Sequence, residues 1–251
     1  MKRLTAQMRL DMMRTLSQGS ASVWFFLILA PALAFVIPLV AGGAVTGGIG
    51  AIVNSALSGS VIGIGCFLTL YPFFYEDQGD HRRINGLIPI SRAHQVVGRY
   101  LFVLACLLII LLDLAAVRLL AWTGTALAGG VEATGGAASL GRDILFGPLL
   151  PTLVVMVMDA LAMPLLYRYP PAVMMRIISI AFVCCVAVGA ILIWGLPKLL
   201  PASAMSALTS AIGALAGVPP SGAMLAFTLV AVAAYALSSL PSRRFHRAKE
   251  L

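Results

Sequence analysis

Long apolar runs alternate with short polar segments along this chain. An apolar stretch of about 20 residues is long enough to cross a bilayer as a helix. The chain has six such runs, at 22–40, 52–75, 99–122, 144–166, 176–194 and 223–240. The even alternation typical of barrel strands is absent, and in lipid each helix satisfies its own backbone hydrogen bonds. The pattern predicts an all-α integral membrane protein, with six transmembrane helices in one domain.

Two segments outside these runs have patterns of their own. Within residues 1–20, Leu4, Met8, Met12 and Leu16 recur every four residues, with basic residues elsewhere on the helical wheel. This pattern predicts an N-terminal helix lying in the membrane interface, with a disordered tail as the alternative. The stretch 195–220 is apolar but interrupted by prolines. It predicts an outer re-entrant segment before the last span.

The most polar segment, 76–98, separates the second and third apolar runs. No charged residue occurs between Thr15 and Tyr75, whereas this segment is rich in both charge signs. It also keeps an apolar periodicity at Ile84, Leu87, Ile88 and Ile90, which a fully solvated loop does not need. We interpret it as a short amphipathic helix or turn that docks against a protein outside the membrane.

Composition agrees with a membrane protein, and the distribution of charge predicts which segments face the cytoplasm. The chain is 61% hydrophobic and 10% charged, with a net charge of +8 and a mean hydropathy of +1.00. Fourteen of the seventeen basic residues fall in 1–20, 76–99, 168–176 and the basic tail 241–251. These segments share one side of a six-span topology, which predicts that they and both termini are cytoplasmic. Basic residues that flank apolar runs also argue against nucleic acid as the partner.

Few side chains are candidates for catalysis or metal binding. The four cysteines fall inside apolar runs without metal-ligand spacing, and the serines within the spans have no base nearby in sequence. A phosphate-binding loop is also missing from the sequence. Asp113 and Asp159 are intramembrane acids, which are costly enough in lipid to suggest contact with a substrate. A structural bond between helices is the alternative role. No metal site and no enzyme active site are predicted.

The central segment resembles a known family. Glu76 closes the second run, Ile88-Pro89-Ile90-Ser91-Arg92 follows, and Arg99-Tyr100-Leu101 opens the third. This order is similar to that of ABC-transporter permeases of the type-two export class, in the branch of bacterial peptide and antibiotic-peptide exporters. Their pattern is an acidic residue, then Leu-Pro-x-Ser-Arg, then Lys-Tyr-Leu, so Ile88 and Arg99 depart from it mildly. A second similarity is the run from Pro164 to Tyr169.

The resemblance implies a six-span subunit that pairs with a second copy or a paralogue over two cytoplasmic ATPase subunits. ATP and magnesium would bind to the partner ATPase, so this chain itself would hold no cofactor. The segment 76–98 would contain the coupling helix, with Glu76 and Arg92 fixing the loop. The expected contacts with the ATPase are Glu76, Asp77, Arg82, Arg83, Ile84, Leu87, Ile88, Pro89, Ser91 and Arg92. Tyr167, Arg168 and Tyr169 would form a second cytoplasmic contact. Alternatively, the arginines of the segment only set the topology.

The expected function is therefore that of a permease subunit in an ATP-driven exporter of a bacterial cell membrane, moving a peptide, lipid or hydrophobic drug. A membrane immunity or sensor subunit that binds an antimicrobial peptide without transporting it is the alternative. A membrane-embedded enzyme is a third class, and the absence of clustered His, Glu or Asp in the spans argues against it.

Overall fold

The computed structural model of the chain describes residues 9, 11–13, 20–41, 48–77, 91–129, 136–194 and 220–248. This part of the chain is all-helical, as predicted. Its long helices are α1 (Ser20–Ala41), α2 (Gly48–Asp77), α3 (Arg92–Leu127), α4 (Gly136–Arg168), α5 (Pro171–Trp194) and α6 (Pro220–Ala248).

Four of the described helices are long and apolar enough to cross a membrane. Their spanning portions are Ile52–Glu76, Ala93–Leu127, Phe146–Arg168 and Gly222–His246. Shorter apolar portions, Leu27–Ala41 and Pro171–Ile180, belong to α1 and α5. Large apolar side chains such as Leu112 and Leu229 are exposed on the outside of the bundle, where lipid would cover them. The chain therefore has the architecture of a multi-pass membrane protein.

Helix α3 lies at the centre of the bundle and contacts α1, α2, α4 and α6. Its buried stripe recurs at spacings of three and four residues, which keeps one helical face inward. The stripe consists of Val103, Leu107, Ile110, Leu114 and Val117.

Two glycines allow helices to approach α3 closely. A β-carbon at Gly65 of α2 would collide with the Ile110 side chain, and one at Gly124 would lie 2.5 Å from the carbonyl oxygen of Phe35 in α1. By contrast, a β-carbon at Gly59 or Gly63 would meet no atom of the described chain within 4 Å. The Gly-x-x-x-Gly pair of α2 therefore makes no helix contact within the described structure.

Hydroxyl groups join α3 to α6. The Tyr100 hydroxyl hydrogen-bonds the hydroxyls of Ser238 and Ser242 at 3.0 and 2.8 Å. The Tyr235 hydroxyl donates to the Tyr100 carbonyl oxygen at 2.7 Å. These groups lie near the start of α3 and the end of α6. We call this the basic end of the bundle, because Arg99, Arg168, Arg243 and Arg244 lie there.

Several predicted segments lie outside the described residues. They include most of the N-terminal segment, residues 78–90 of the polar segment and residues 195–219 of the predicted re-entrant segment. Of the N-terminal segment, Arg9 and Asp11–Met13 are helical. Helix α3 already begins at Arg92, and α6 continues to Ala248. Both helices extend beyond their predicted apolar spans into polar sequence.

Candidate functional site

Arg99 is a buried cation near the start of α3, with only 3% of its surface exposed. Its Nη1 donates to Glu76 Oε2 at 2.9 Å, and its Nη2 donates to Glu76 Oε1. Two parallel hydrogen bonds of this kind hold a guanidinium and a carboxylate in one relative orientation. Since Glu76 is near the end of α2, this ion pair fixes the two helix ends that flank residues 78–90.

A second carboxylate approaches the same guanidinium. Asp11 Oδ1 lies 3.5 Å from Arg99 Nη2, and the Asp11 side chain is fully buried. A buried charge is costly unless it is paired. Asp11 and the short helical piece around it are therefore held at the basic end by an ion pair with α3.

Aromatic rings surround the ion pairs. The Arg99 guanidinium carbon lies 4.5 Å from the centre of the Phe73 ring, within the range of a cation–π contact. Phe73 meets the edge of Tyr167 from α4, with ring centres 5.2 Å apart. Tyr167 in turn contacts the His246 ring of α6 at 5.2 Å. We call Asp11, Phe73, Glu76, Arg99 and Tyr167 the Arg99 cluster.

Helices α3 and α6 also meet beside this cluster. His246 Nε2 donates to Gln95 Oε1 at 3.3 Å. Ser91, the residue before α3, accepts backbone hydrogen bonds from the amides of His94 and Gln95 at 2.9 and 3.1 Å. Ion pairs and ring contacts thus connect the N-terminal segment, α2, α3, α4 and α6 at one end of the bundle. These contacts hold the ends of the helices together. Beside them, at the start of α3, the exposed Ser91 hydroxyl hydrogen-bonds Nδ1 of the His94 ring.

The residues predicted to contact an ATPase are only partly described. Glu76 and Ser91 lie close to the two edges of residues 78–90, and the side chains of Asp77 and Arg92 are not described. The other predicted residues lie outside the described residues: Arg82, Arg83, Ile84, Leu87, Ile88 and Pro89. The structure pairs Glu76 with Arg99, and the predicted role of Arg92 in fixing the loop stays a prediction.

The three residues of the predicted second contact occupy different environments. Tyr167 is buried in the Arg99 cluster, whereas Arg168 is exposed. The guanidinium carbon of Arg168 lies 5.3 Å from the Tyr169 ring centre and 5.5 Å from that of Phe245. Tyr167 therefore stabilises the bundle from within, and Arg168 and Tyr169 remain at its surface.

The two intramembrane acids differ in burial. Asp159 is buried, and its Oδ1 accepts a hydrogen bond from Thr69 of α2 at 3.2 Å. Asp113 is only half-buried. One oxygen of each carboxylate, Oδ2, is buried without a hydrogen-bond partner in the described structure. Asp159 thus has the geometry of an interhelical bond, and nothing assigns either acid to a substrate.

Within the described residues no group of three or more His, Cys, Asp or Glu side chains could hold a metal ion. The chain matches no protein-family model, no curated protein and no solved structure. Its function must therefore be argued from its own residues.

Sequence reasoning did not identify Arg99, Asp11 and Phe73 as site residues. In the sequence Arg99 belongs to the family-like run Arg99-Tyr100-Leu101, and no pattern in residues 1–20 points to Asp11. One signal was present in the sequence: Arg99 and Glu76 are opposite charges at the facing ends of consecutive apolar runs. Spacing alone could not decide which arginine pairs with Glu76.

Proposed function

We propose that this chain is the permease subunit of an ATP-driven ABC exporter in a bacterial cell membrane. In this proposal it has six spans, an N-terminal interfacial helix, a cytoplasmic coupling helix within 76–98 and an outer re-entrant segment. Both termini are cytoplasmic, and the permease pairs with a second copy or a paralogue. A separate ATPase binds ATP and magnesium, and this chain carries a peptide, lipid or hydrophobic drug outward.

The observation that supports this proposal most is the Arg99 cluster. Glu76 and Arg99 flank the segment that resembles a coupling helix, and their hydrogen bonds make its two edges one rigid unit. Through Phe73 and Tyr167, the same unit contacts α4. A partner that pushes on the segment would therefore move α2, α3 and α4 together, as coupled transport requires.

The sequence adds a second argument. The segment combines charged residues with the apolar positions Ile84, Leu87, Ile88 and Ile90. An apolar face beside a membrane surface suits docking into a protein groove. Because the sequence has no phosphate-binding loop, energy from ATP would have to enter through such a contact.

The first experiment tests coupling in the complete complex. The chain and its co-purifying ATPase are reconstituted in inverted vesicles, and ATP turnover and substrate uptake are both measured. Arg92→Glu should abolish uptake and the stimulation of ATP turnover by substrate. Arg176→Glu is the matched control, because Arg176 is an exposed arginine of α5 outside the segment. It should leave both activities near those of the wild type.

Three outcomes would contradict the proposal. Hydrolysis of ATP by the purified chain alone would place it among enzymes. Transport that survives replacement of the whole stretch 82–92 would show that the coupling assignment is wrong. Protection of cells from a peptide without ATP-driven uptake into vesicles would be the behaviour of an immunity subunit.

A further inference from the structure

An open groove of about 650 Å³ lies between α4 and α6. This volume falls within the range of about 300–1,000 Å³ that is typical of small-ligand sites. Its walls include Leu161 and Pro164 from α4, and Leu237 and Pro241 from α6. Leu161 and Leu237 are 65% and 62% exposed, so they form rims that an apolar occupant would cover.

The groove offers little to a polar ligand. Its lining is aliphatic except for Ser238. The Ser238 hydroxyl donates to the Tyr235 carbonyl oxygen at 2.8 Å and also contacts the Tyr100 hydroxyl. With that group already hydrogen-bonded, burial of apolar surface is the main interaction left. A hydrocarbon chain fits this requirement.

Two arginines flank one end of the groove. Arg168 follows Leu161 by seven residues in α4, and Arg244 follows Leu237 by seven residues in α6. Seven residues are about two helical turns, so each arginine lies on the same helical face as its rim leucine. Both α4 and α6 end at the basic end, which brings the two cations to the same side. The Phe245 ring, 5.5 Å from the Arg168 guanidinium carbon, connects the helices there.

Both cations are accessible at the surface. Arg168 and Arg244 are exposed, and no ion pair to either is found among the described side chains. The described carboxylates of Asp11 and Glu76 face Arg99 instead. An apolar groove that ends at two exposed arginines is complementary to an anionic amphiphile.

We propose that this groove binds an anionic phospholipid, with one acyl chain between α4 and α6 and its phosphate against Arg168 and Arg244. A second copy of the chain fits less well. In a symmetric dimer the same patch meets itself, so the arginines of both copies would face each other and repel. The proposed lipid site does not rest on the transport function, although it shares Arg168 with the expected second contact with the ATPase.

Native mass spectrometry of the full-length chain tests the site. The protein is mixed with equal amounts of phosphatidylglycerol and phosphatidylcholine that carry identical acyl chains. The wild type should retain one phosphatidylglycerol in preference to phosphatidylcholine. Each arginine near a membrane surface favours an anionic lipid by about fivefold, so Arg168→Gln with Arg244→Gln should lower the preference by about 25-fold.

Three further variants separate the site from general effects. Arg176→Gln removes an exposed arginine that is not on the α4 and α6 faces, and should retain the wild-type preference. Replacing both groove arginines by Lys keeps the positive charge and should preserve most of the preference for phosphatidylglycerol. That result would show that the fold tolerates substitution at these two positions. Ala234→Leu extends a side chain into the groove and should reduce retention of both lipids.

The proposal is overturned if the wild type holds both lipids equally, or if Arg176→Gln lowers the preference as much as the double variant does. It is also overturned if Ala234→Leu leaves lipid retention unchanged. A dimer that Ala234→Leu dissociates would instead identify the groove as a contact between copies.

Discussion

Arg99 is a buried cation that balances two carboxylates, of which Asp11 is buried and Glu76 is partly exposed. Removing one member of a buried ion pair strongly destabilises the folded protein, because the remaining charge is left uncompensated. The two carboxylates are not equivalent, since Glu76 makes two hydrogen bonds to the guanidinium and Asp11 lies 3.5 Å from it. The cluster therefore allows single substitutions with clearly different expected costs.

Arg99→Gln should destabilise the protein by about 3–5 kcal/mol, because Glu76 and Asp11 lose their shared cation. Glu76→Gln should cost less, since Asp11 still compensates Arg99. The double variant should be more stable than Arg99→Gln alone, because one uncompensated carboxylate has been removed. Thermal loss of the monodisperse species in detergent measures all three. If the loss of stability in the double variant equals the sum of the losses in the two single variants, Glu76 and Arg99 do not interact as described.

At the level of single residues, the resemblance predicted that Glu76 and Arg92 fix the polar segment, and for Arg92 this stays a prediction. The pairing of Glu76 with Arg99 could not be predicted, because several arginines follow Glu76 closely and only the packed helices show which one reaches it. Asp11 was beyond prediction for a similar reason. Its contact with Arg99 joins positions far apart in sequence, and no local pattern encodes it.

The helices depend on close packing against α3. Gly124 is the clearest case, because a β-carbon there would lie 2.5 Å from a backbone carbonyl oxygen of α1. Backbone atoms cannot rotate away as a flexible side chain can, so an added methyl group must separate the two helices.

Gly124→Ala should therefore destabilise the bundle by about 1–3 kcal/mol, the usual cost of overpacking. Gly63→Ala is the matched control, since open space surrounds that position in the described structure. There the methyl group should be neutral or raise stability by up to about 1 kcal/mol, because Ala favours a helix over Gly. Thermal denaturation in the same detergent compares the two. If Gly124→Ala and Gly63→Ala change the thermal stability equally, the contact between α1 and α3 is not tight.

At the level of elements, apolar runs located every long helix because a helix in lipid must be apolar for most of its length. Helix ends were less predictable. Helix α3 begins at Arg92 and α6 continues to Ala248, where polar residues lower the hydropathy without ending the helix. Close approach between helices was also not readable from glycine spacing, since Gly59 and Gly63 meet no atom within 4 Å in the described structure whereas Gly124 lies against α1.

The orientation of the whole molecule is a prediction from charge alone. Most basic residues belong to segments on one side of the predicted topology. The bundle brings several of them to one end, including Arg99, Arg168 and Arg244. In this orientation Ser91 is cytoplasmic and Leu127, at the end of α3, faces the outside.

Cysteine labelling tests this orientation. Ser91 and Leu127 are exposed and lie at opposite ends of α3. A maleimide that cannot cross membranes should label Leu127→Cys in intact cells, and Ser91→Cys only after the cells are permeabilised. The wild-type chain, whose four cysteines lie in apolar runs, provides the background. Labelling of Ser91→Cys in intact cells would reverse the orientation and exclude a cytoplasmic coupling segment.

The ion pair between Asp11 and Arg99 also constrains how the protein is made. Asp11 leaves the ribosome 88 residues before its partner, so it cannot occupy its buried position until α3 has entered the bilayer. During that interval a carboxylate without a cation is most stable in water. Asp11 therefore reaches its final place only after α3 has been inserted, although it is synthesised long before that helix.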